Sequence, residues 1–300
     1  MKRILVIYNP SSSLFANVKK DVLSHLTELK GHIIGKFEVA KTNIDDNINK
    51  LTKILKDDDL VISAGGDATG VIAVNAILKS DKKVTLAVLP YGNFNDLSRT
   101  LGTKTLEDAL CGSGKKFYPL EIIIDGKFFR YATCYVTIGM MGEAVKLYDT
   151  PRLRKKLKTN FGRKICSYTE LASWYFRNRH KKNFLPEFKL NDKLQPKKTS
   201  DYAAVNGSYM ARVMKGGEDY KDSKYFRSET DRLTSFWRLS KLMAKSILHQ
   251  IPGSRTAGDK LDFINPATIE LQAEGEYQTF KNIKTIEIRK SQKCLKTIKK

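Results

Sequence analysis

The chain has 300 residues, 41% of them hydrophobic, which suits two domains with separate cores better than one. Its 54 Lys and Arg against 32 Asp and Glu leave a net charge of +22, which favours polyanionic partners such as nucleotides, anionic membrane surfaces or nucleic acid. The four cysteines (Cys111, Cys134, Cys166, Cys294) are far apart and show no metal-ligand spacing, so free thiols in a reducing compartment are expected. No apolar run approaches the ~20 residues of a membrane span, and the run Ile4 to Tyr8 is too short for a signal peptide.

In chain order, Lys2 to Tyr8 reads as a strand covered on both faces, ended by the polar turn Asn9-Pro10-Ser11-Ser12-Ser13. Phe15 to Leu29 carries a helical stripe (Val18, Val22, Leu26, Leu29). Ile33 to Val39 is a second strand, followed by the turn Lys41-Thr42-Asn43 and a helix from Ile44 to Leu55. Leu60 to Ser63 is a short apolar strand, Gly65-Gly66 a tight turn, and Thr69 to Leu78 a helix. Val84 to Leu89 is a fourth strand, stopped by Pro90. This β-α-β-α-β-α-β pattern predicts a mostly parallel sheet with crossover helices, and such sheets bind ligands at the carboxyl ends of their strands. Short helices are expected at Asp96–Leu101 and Leu106–Leu110, with a loop at Gly112–Lys116.

From about Tyr118 the texture becomes β-rich. Glu121–Ile124, Lys127–Ile138, Ala203–Asn206, Ile269–Ala273 and Ile283–Ile288 read as strands, and Asp125-Gly126 marks a hairpin. Leu185–Leu190 is a further strand before an Asn191-Asp192-Lys193 turn, Arg152–Lys182 is basic, and Arg232–His249 reads as an amphipathic helix. The last dozen residues are basic and read as ragged.

The chemistry concentrates in loops at the predicted carboxyl edge. Gly65 and Gly66 before a helix offer N–H groups to phosphate, and Asp67 places a carboxylate where a Mg²⁺ riding on phosphates would sit. An ordinary βα turn would read much the same. The loop Pro90 to Arg99 carries Asn93, Asn95 and Asp96; Asn95 and Asp96 also suit a simple helix cap.

Four places resemble the diacylglycerol kinase catalytic-domain family, in its bacterial lipid-kinase branch. Asn9-Pro10-Ser11-Ser12-Ser13 is similar to Asn-Pro-x-Ser/Ala-Gly, Gly65-Gly66-Asp67-Ala68-Thr69 to Gly-Gly-Asp-Gly-Thr, Pro90 to Arg99 to Pro-x-Gly-Thr-x-Asn-Asp-Phe-Ala-Arg, and Glu274-Gly275-Glu276 to Asp-Gly-Glu. The resemblance implies an N-terminal three-layer α/β nucleotide-binding domain (residues 1–120) and a β-rich, sandwich-like lipid-substrate domain (121–283), with the last strands, about 284–300, returning to the first. It implies an ATP- and Mg²⁺-dependent transfer of the γ-phosphate to a hydroxyl of diacylglycerol or a related lipid.

Carried over residue by residue, Asn9, Pro10, Ser11, Ser12, Ser13, Thr42, Gly65, Gly66, Asp67, Ala68, Thr69, Asn93, Asn95 and Glu274 belong to nucleotide binding. Asp67 and Asp96 organise Mg²⁺, and Glu276 takes the proton of the lipid hydroxyl. Glu121 is the nearest match for a third acid, and Ser228, Asp231 and Leu233 fit a structural Mg²⁺ pattern. A cytoplasmic protein peripherally bound to an anionic membrane is implied, with no nucleic-acid partner and room for a homodimer.

Departures from the pattern are Ala68 for glycine, Asn93 for threonine, Ser13 for glycine and Glu274 for aspartate. They leave open a kinase-derived regulator, and Gly-Gly-Asp alone is shared with NAD kinases. For membrane contact, the cluster Arg152–Lys158 with Arg163 and Lys164 is expected to supply surface attraction, while the 232–249 helix is expected to pack Phe236, Trp237 and Met243 into the second core.

Overall fold

The computed structural model describes residues 3–12, 14–29, 31–139, 169–170, 172–174, 176–177, 185–195, 199–210, 214–215, 224–231, 237, 240–241, 244–245, 253–274 and 276–299. The basic cluster 152–164, Ser13, Leu233, Phe236 and Met243 lie outside these residues, as does the side chain of Asp231.

In chain order the strands are β1 (Arg3–Tyr8), β2 (Ile33–Glu38), β3 (Leu60–Gly65), β4 (Thr85–Pro90), β5 (Ser113–Phe117), β6 (Leu120–Ile124), β7 (Lys127–Ala132), β8 (Tyr135–Gly139) and β9 (Phe188–Leu190). They continue as β10 (Lys193–Leu194), β11 (Thr199–Val205), β12 (Tyr209–Met210), β13 (Met214–Lys215), β14 (Tyr225–Asp231), β15 (Ser254–Thr256), β16 (Gly258–Ala273), β17 (Glu276–Lys290) and β18 (Leu295–Lys299). The helices are α1 (Phe15–Val18), α2 (Ile44–Ile54), α3 (Asp67–Ser80), α4 (Asp96–Leu101) and α5 (Leu106–Cys111).

The first sheet has the order β2-β1-β3-β4-β18-β5. Its first five strands are parallel and β5 runs antiparallel to β18. Ile4, Leu5, Val6 and Ile7 are buried on both faces of β1, as their continuous apolar run requires of an inner parallel strand. The expected helix over 15–29 is less regular than its stripe. After α1 it widens to a π-type turn over Lys19–Leu23, where the Ser24 N–H reaches back to Lys19 O at 3.0 Å, and tightens to a 3₁₀ turn over His25–Glu28.

α3 is apolar round its whole circumference, and every residue from Thr69 to Leu78 is buried. One face packs on the first sheet, while the other meets Tyr131, Cys134, Tyr135, Ala203 and Val205 of the second sheet. Asn75, the polar residue in this apolar run, clamps the two layers. Its Nδ2 donates to Tyr131 O and its Oδ1 accepts from Tyr131 N, both at 2.9 Å.

The second sheet is antiparallel, with ten strands in the order β15-β14-β11-β8-β16-β17-β6-β7 and β9 and β10 attached through β16. The long β16 pairs with β17 along one side and with both β8 and β9 along the other, so strands from β6 to β17 bury one common core. The hairpins are as their turn residues demand. Asp125 (φ 48°) and Gly126 (φ 74°) join β6 to β7, and Asn191 (φ 49°) and Asp192 (φ 66°) join β9 to β10.

Four expectations are corrected. Residues 112–116 are not a loop but the start of β5, because β18 offers them a partner. The basic tail is not ragged: it supplies β18, with Leu295 and Ile298 buried between β4 and β5. The single strand expected over 127–138 breaks at Thr133-Cys134, and the physical reason lies in the site described next. Trp237 is 81% exposed and not packed into the second core.

Candidate active site

The loops after β1, β2, β3 and β4 all leave the carboxyl edge of the parallel sheet. In the first, Asn9 Oδ1 accepts from Ser11 N (2.8 Å) and Ser12 N donates to Asn9 O (3.0 Å), which shapes the chain past Pro10. Ser12 Oγ then donates to Tyr91 O at 2.6 Å, tying this loop to the one after β4. Burial pushes the Tyr91 phenol up to about 12, with Asp21 adding to the shift. Thr42 is exposed beyond β2, where Asn47 Nδ2 reaches its hydroxyl at 3.4 Å.

Gly65 and Gly66 have distinct roles. A Cβ on Gly65 would stand 2.4 Å from Thr69 Oγ1, so the first turn of α3 lies against it. Gly66 and Gly92 pack backbone to backbone: a Cβ on Gly92 would stand 2.3 Å from Gly66 Cα. Gly66 is the N-cap of α3 and brings no capping side chain, so no side chain at the cap competes with an anion for the helix's first N–H groups, of which Thr69 N already donates to Gly66 O (3.0 Å). Ala68 lies inside the first turn of α3 with an ordinary right-handed backbone, so replacing glycine there costs no strain.

Asp67 opens α3. Its Oδ2 accepts from Asn95 N (2.9 Å) and its Oδ1 from Leu97 N (3.3 Å), so the loop after β4 closes over the carboxylate. Burial pushes the Asp67 carboxyl up, and the N–H groups pull it back only in part. Asn95 sits in the left-handed region (φ 58°, ψ 41°), which asparagine tolerates. Its side chain is spent on its own loop: Oδ1 accepts from Gly92 N (2.7 Å), and Nδ2 donates to Pro90 O (3.1 Å) and Gly92 O (2.8 Å). Asp96 is fully buried at the start of α4, and Asn93 is half-buried beside it.

Across from these groups stands the break between β7 and β8. Glu274 connects β16 to β17 at a left-handed φ of 51° and is buried. Its Oε1 accepts from Thr133 Oγ1 (2.7 Å), Tyr135 N (3.4 Å) and Cys134 N. The strand breaks at 133–134 because those N–H groups turn to a carboxylate instead of a neighbouring strand. Burial pushes the Glu274 carboxyl up to about 8, with Asp67 adding repulsion against the lowering hydrogen bonds. Burial also raises the Cys134 thiol and the Tyr135 phenol well above their usual values, with Asp67, Asp96 and Glu274 each adding repulsion. All three acids therefore lie within electrostatic reach of Cys134 and Tyr135. Thr137 Oγ1 donates to Gln272 Oε1 (2.6 Å), and Gln272 Nε2 donates to Tyr135 OH (3.3 Å), extending the polar face.

The structure thus gathers Asp67, Asp96 and Glu274. Glu276 is half-buried at the start of β17, opposite Ala273 in the ladder. Glu121 is not the third acid of this group: Arg289 Nε and Ser291 Oγ take its two oxygens at 2.8 and 2.9 Å. Ser228 is buried in β14 opposite Ala203, while Leu233 and the Asp231 side chain lie outside the described residues. Sequence reasoning missed Thr133, at the break between β7 and β8, and Tyr135 and Gln272, which sit in strands of ordinary composition. Asn75 left a signal: one amide in a ten-residue apolar helix run.

Residues 3–123 match the family model of the diacylglycerol kinase catalytic domain. This part of the chain is similar to that family's catalytic domain. A diacylglycerol kinase of Bacillus subtilis is 31% identical over 179 residues, covering 54% of this chain and 52% of that protein. Another, from Staphylococcus epidermidis, is 34% identical over 143 residues, covering 47% of this chain and 40% of that protein. The matches therefore span about half the length of these curated relatives or less. A crystal structure of a diacylglycerol kinase from Bacillus anthracis superposes with a TM-score of 0.69 at 15% identity, covering 99% of this chain and 97% of that one. The fold likeness therefore extends over both sheets.

Phosphoryl-transfer kinases use Mg²⁺ with their nucleotide. The donor set here fits that ion, because Asp67 and Asp96 bring hard carboxylate oxygens to the starts of α3 and α4. Among the described residues no group of three or more His, Cys, Asp and Glu side chains is arranged to hold a metal ion by itself.

Proposed function

We propose that the protein is a lipid kinase that transfers the γ-phosphate of ATP, with Mg²⁺, to a hydroxyl of diacylglycerol or a related lipid. The observation that carries this reading is the placement of Asp67. It opens an uncapped helix, both its oxygens are held by the loop after β4, and Glu274 faces it from the second sheet. The domain match over residues 3–123 supports the same reaction class.

Phosphoryl transfer needs positioning and charge neutralisation more than covalent chemistry. The first N–H groups of α3, with Gly66 and Gly92 in close contact, let phosphate approach the backbone. Asn9, Ser11 and Ser12 shape the neighbouring loop, and Asn93 and Thr42 lie at the same edge. Asp67 and Asp96 would hold Mg²⁺, which neutralises phosphate charge. The lipid hydroxyl loses its proton as its oxygen bonds to the γ-phosphorus and the bond to ADP breaks. Glu276 is the acceptor of that proton, half-buried at the start of β17.

The lipid comes from a membrane, so the protein works as a cytoplasmic, peripherally bound enzyme on an anionic surface. The net charge of +22 and the exposed Trp237 support that placement. Among the described residues no helix is long and apolar enough to cross a membrane.

The test is incubation of the pure protein with γ-labelled ATP, Mg²⁺ and mixed-lipid micelles. Label is expected in the organic phase, and Asp67→Ala and Glu276→Ala are expected to abolish it with unchanged far-UV circular dichroism. Label moving to NAD instead, or no transfer to any lipid alongside intact nucleotide binding, would sink the reading.

A further inference from the structure

We infer that Glu274 is a positioning residue, whose carboxylate anchors the β16–β17 turn carrying Glu276 to the β7–β8 corner and so sets that turn against Asp67 and Asp96. The inference deepens the proposed function and rests on it.

Three observations carry it. First, Glu274 stands in the two-residue turn between the paired Ala273 and Glu276, at the left-handed φ of 51° that such a turn requires, so its side chain leaves the turn in a defined direction. Second, Oε1 alone accepts from Thr133 Oγ1, Cys134 N and Tyr135 N, three donors converging from one corner. Residues 273 and 276 are paired across the ladder, so fixing Glu274 fixes where β17 begins.

Third, the corner is itself tied to the helix bearing Asp96. Cys134 O accepts from Asn206 N (2.6 Å) and Gly207 N (3.0 Å), and Ser208 N donates to Thr100 Oγ1 (3.1 Å). Thr100 Oγ1 in turn donates to Asp96 O at 2.8 Å. A Cβ on Gly207 would stand 2.8 Å from Thr100 Oγ1 and 3.0 Å from Cys134 Sγ, so the joint is closely packed. The route from Asp96 to the Glu276 turn is therefore a short series of direct bonds: α4, residues 206–208, Cys134, Glu274. Without the Glu274 link, the turn keeps its ladders to β17 and β8 but loses the direct bonds that hold it to the corner itself.

Oε2 is buried without a partner, so the cradle needs an acceptor at Oε1 and nothing at the other oxygen. Glutamine can supply that acceptor, aspartate is one methylene short, and alanine supplies none. Full-length Glu274→Gln, Glu274→Asp and Glu274→Ala are compared by micelle kinetics and by amide hydrogen exchange in peptides covering 133–135 and 276–280. We expect kcat within about threefold of wild type for Gln, down about tenfold for Asp and about a hundredfold for Ala, with KM for ATP within about twofold throughout. Exchange should accelerate in Ala and not in Gln.

A Gln variant as slow as Ala would overturn the inference, because the charged carboxylate would then be acting itself. Wild-type kcat in Ala, or unchanged exchange in Ala, would overturn it too. The exchange result does not depend on turnover. Accelerated exchange in Ala from a wild-type protein that labels no lipid would keep the anchor and refute the kinase reading alone.

Discussion

Gly66 and Gly92 face each other across the joint between two loops, yet substitution should hurt at one and hardly at the other. A Cβ on Gly92 would stand 2.3 Å from Gly66 Cα, 3.0 Å from Asn95 Oδ1 and 3.2 Å from Gly66 N. Carbon atoms settle at about 3.5–4.0 Å, so Gly92→Ala must open the joint by more than about 1 Å, against backbone on both sides. Overpacking of this kind costs about 1–3 kcal/mol, and a contact with no flexible side chain to yield belongs at the upper end. At about 2–4 °C per kcal/mol the melting temperature should fall by roughly 5–10 °C. The loop that moves also donates N–H groups to Asp67, so kcat should fall by about a hundredfold. In Gly66→Ala the new Cβ meets only Gly92 Cα at 3.3 Å, on an extended backbone (φ −86°, ψ −174°) open to any residue. That variant should lose under about 1 kcal/mol. Thermal melts and micelle kinetics on both proteins decide it. Equal losses in the two variants, or a Gly92→Ala protein with wild-type melting and turnover, would refute the packing argument.

Asn95→Ala removes three side-chain hydrogen bonds from the loop and leaves alanine at φ 58°, so a loss of about 2–4 kcal/mol is expected in denaturant titration, with kcat falling further than KM for ATP. Asn75→Leu strands the N–H and C=O of Tyr131 between two packed layers, and about 2–5 kcal/mol should be lost; a variant as stable as wild type would show that the clamp is unimportant. Glu274 gives a pH signature: with its carboxyl at about 8 when folded and 4.5 as the ordinary value, the native state keeps a proton that the unfolded chain has released, so this group's stabilising contribution is complete below about pH 4.5 and is lost as pH rises through about 8. Denaturation midpoints of Glu274→Gln relative to wild type should therefore climb between pH 5 and pH 8 and level off above; a flat difference would mean the carboxyl titrates normally.

Much of the fold was legible because its first half obeys period and punctuation together. β1, β3 and β4 are unbroken apolar runs that end in Asn-Pro, Gly-Gly and Pro-Tyr-Gly, and each ends in the structure within a residue or two of that punctuation. The second half was read less well because its strands take their limits from partners. β16 and β17 run for 16 and 15 residues through segments such as Asn265-Pro266, which read locally as a break. Lys115, Lys116, Lys296 and Lys299 look like a solvated surface, and they become β5 and β18 only because each strand gives the other a ladder.

The site divides in the same way. Asp67, Asp96 and Asn95 could be placed because motif and helix start coincide, and the worry over Ala68 dissolves because α3 begins one residue before it. Thr133 and Tyr135 could not be placed, since only Glu274, some 140 residues later, gives them a role.

The electrostatics of the joint also explain why the acids need both halves of the chain. In a protein of net charge +22, Asp96 and Glu274 are buried and Asp67 half-buried, all within electrostatic reach of Cys134 and Tyr135. Buried carboxylates without cations repel and rise in pKa, as Asp67 and Glu274 do. Their neighbours relieve this only in part: backbone N–H groups reach Asp67 and Glu274, while Arg289 pairs with Glu121 and Arg227 with Asp259. Burying like charges together is costly, so these acids depend on the hydrogen bonds that each half of the chain supplies to them.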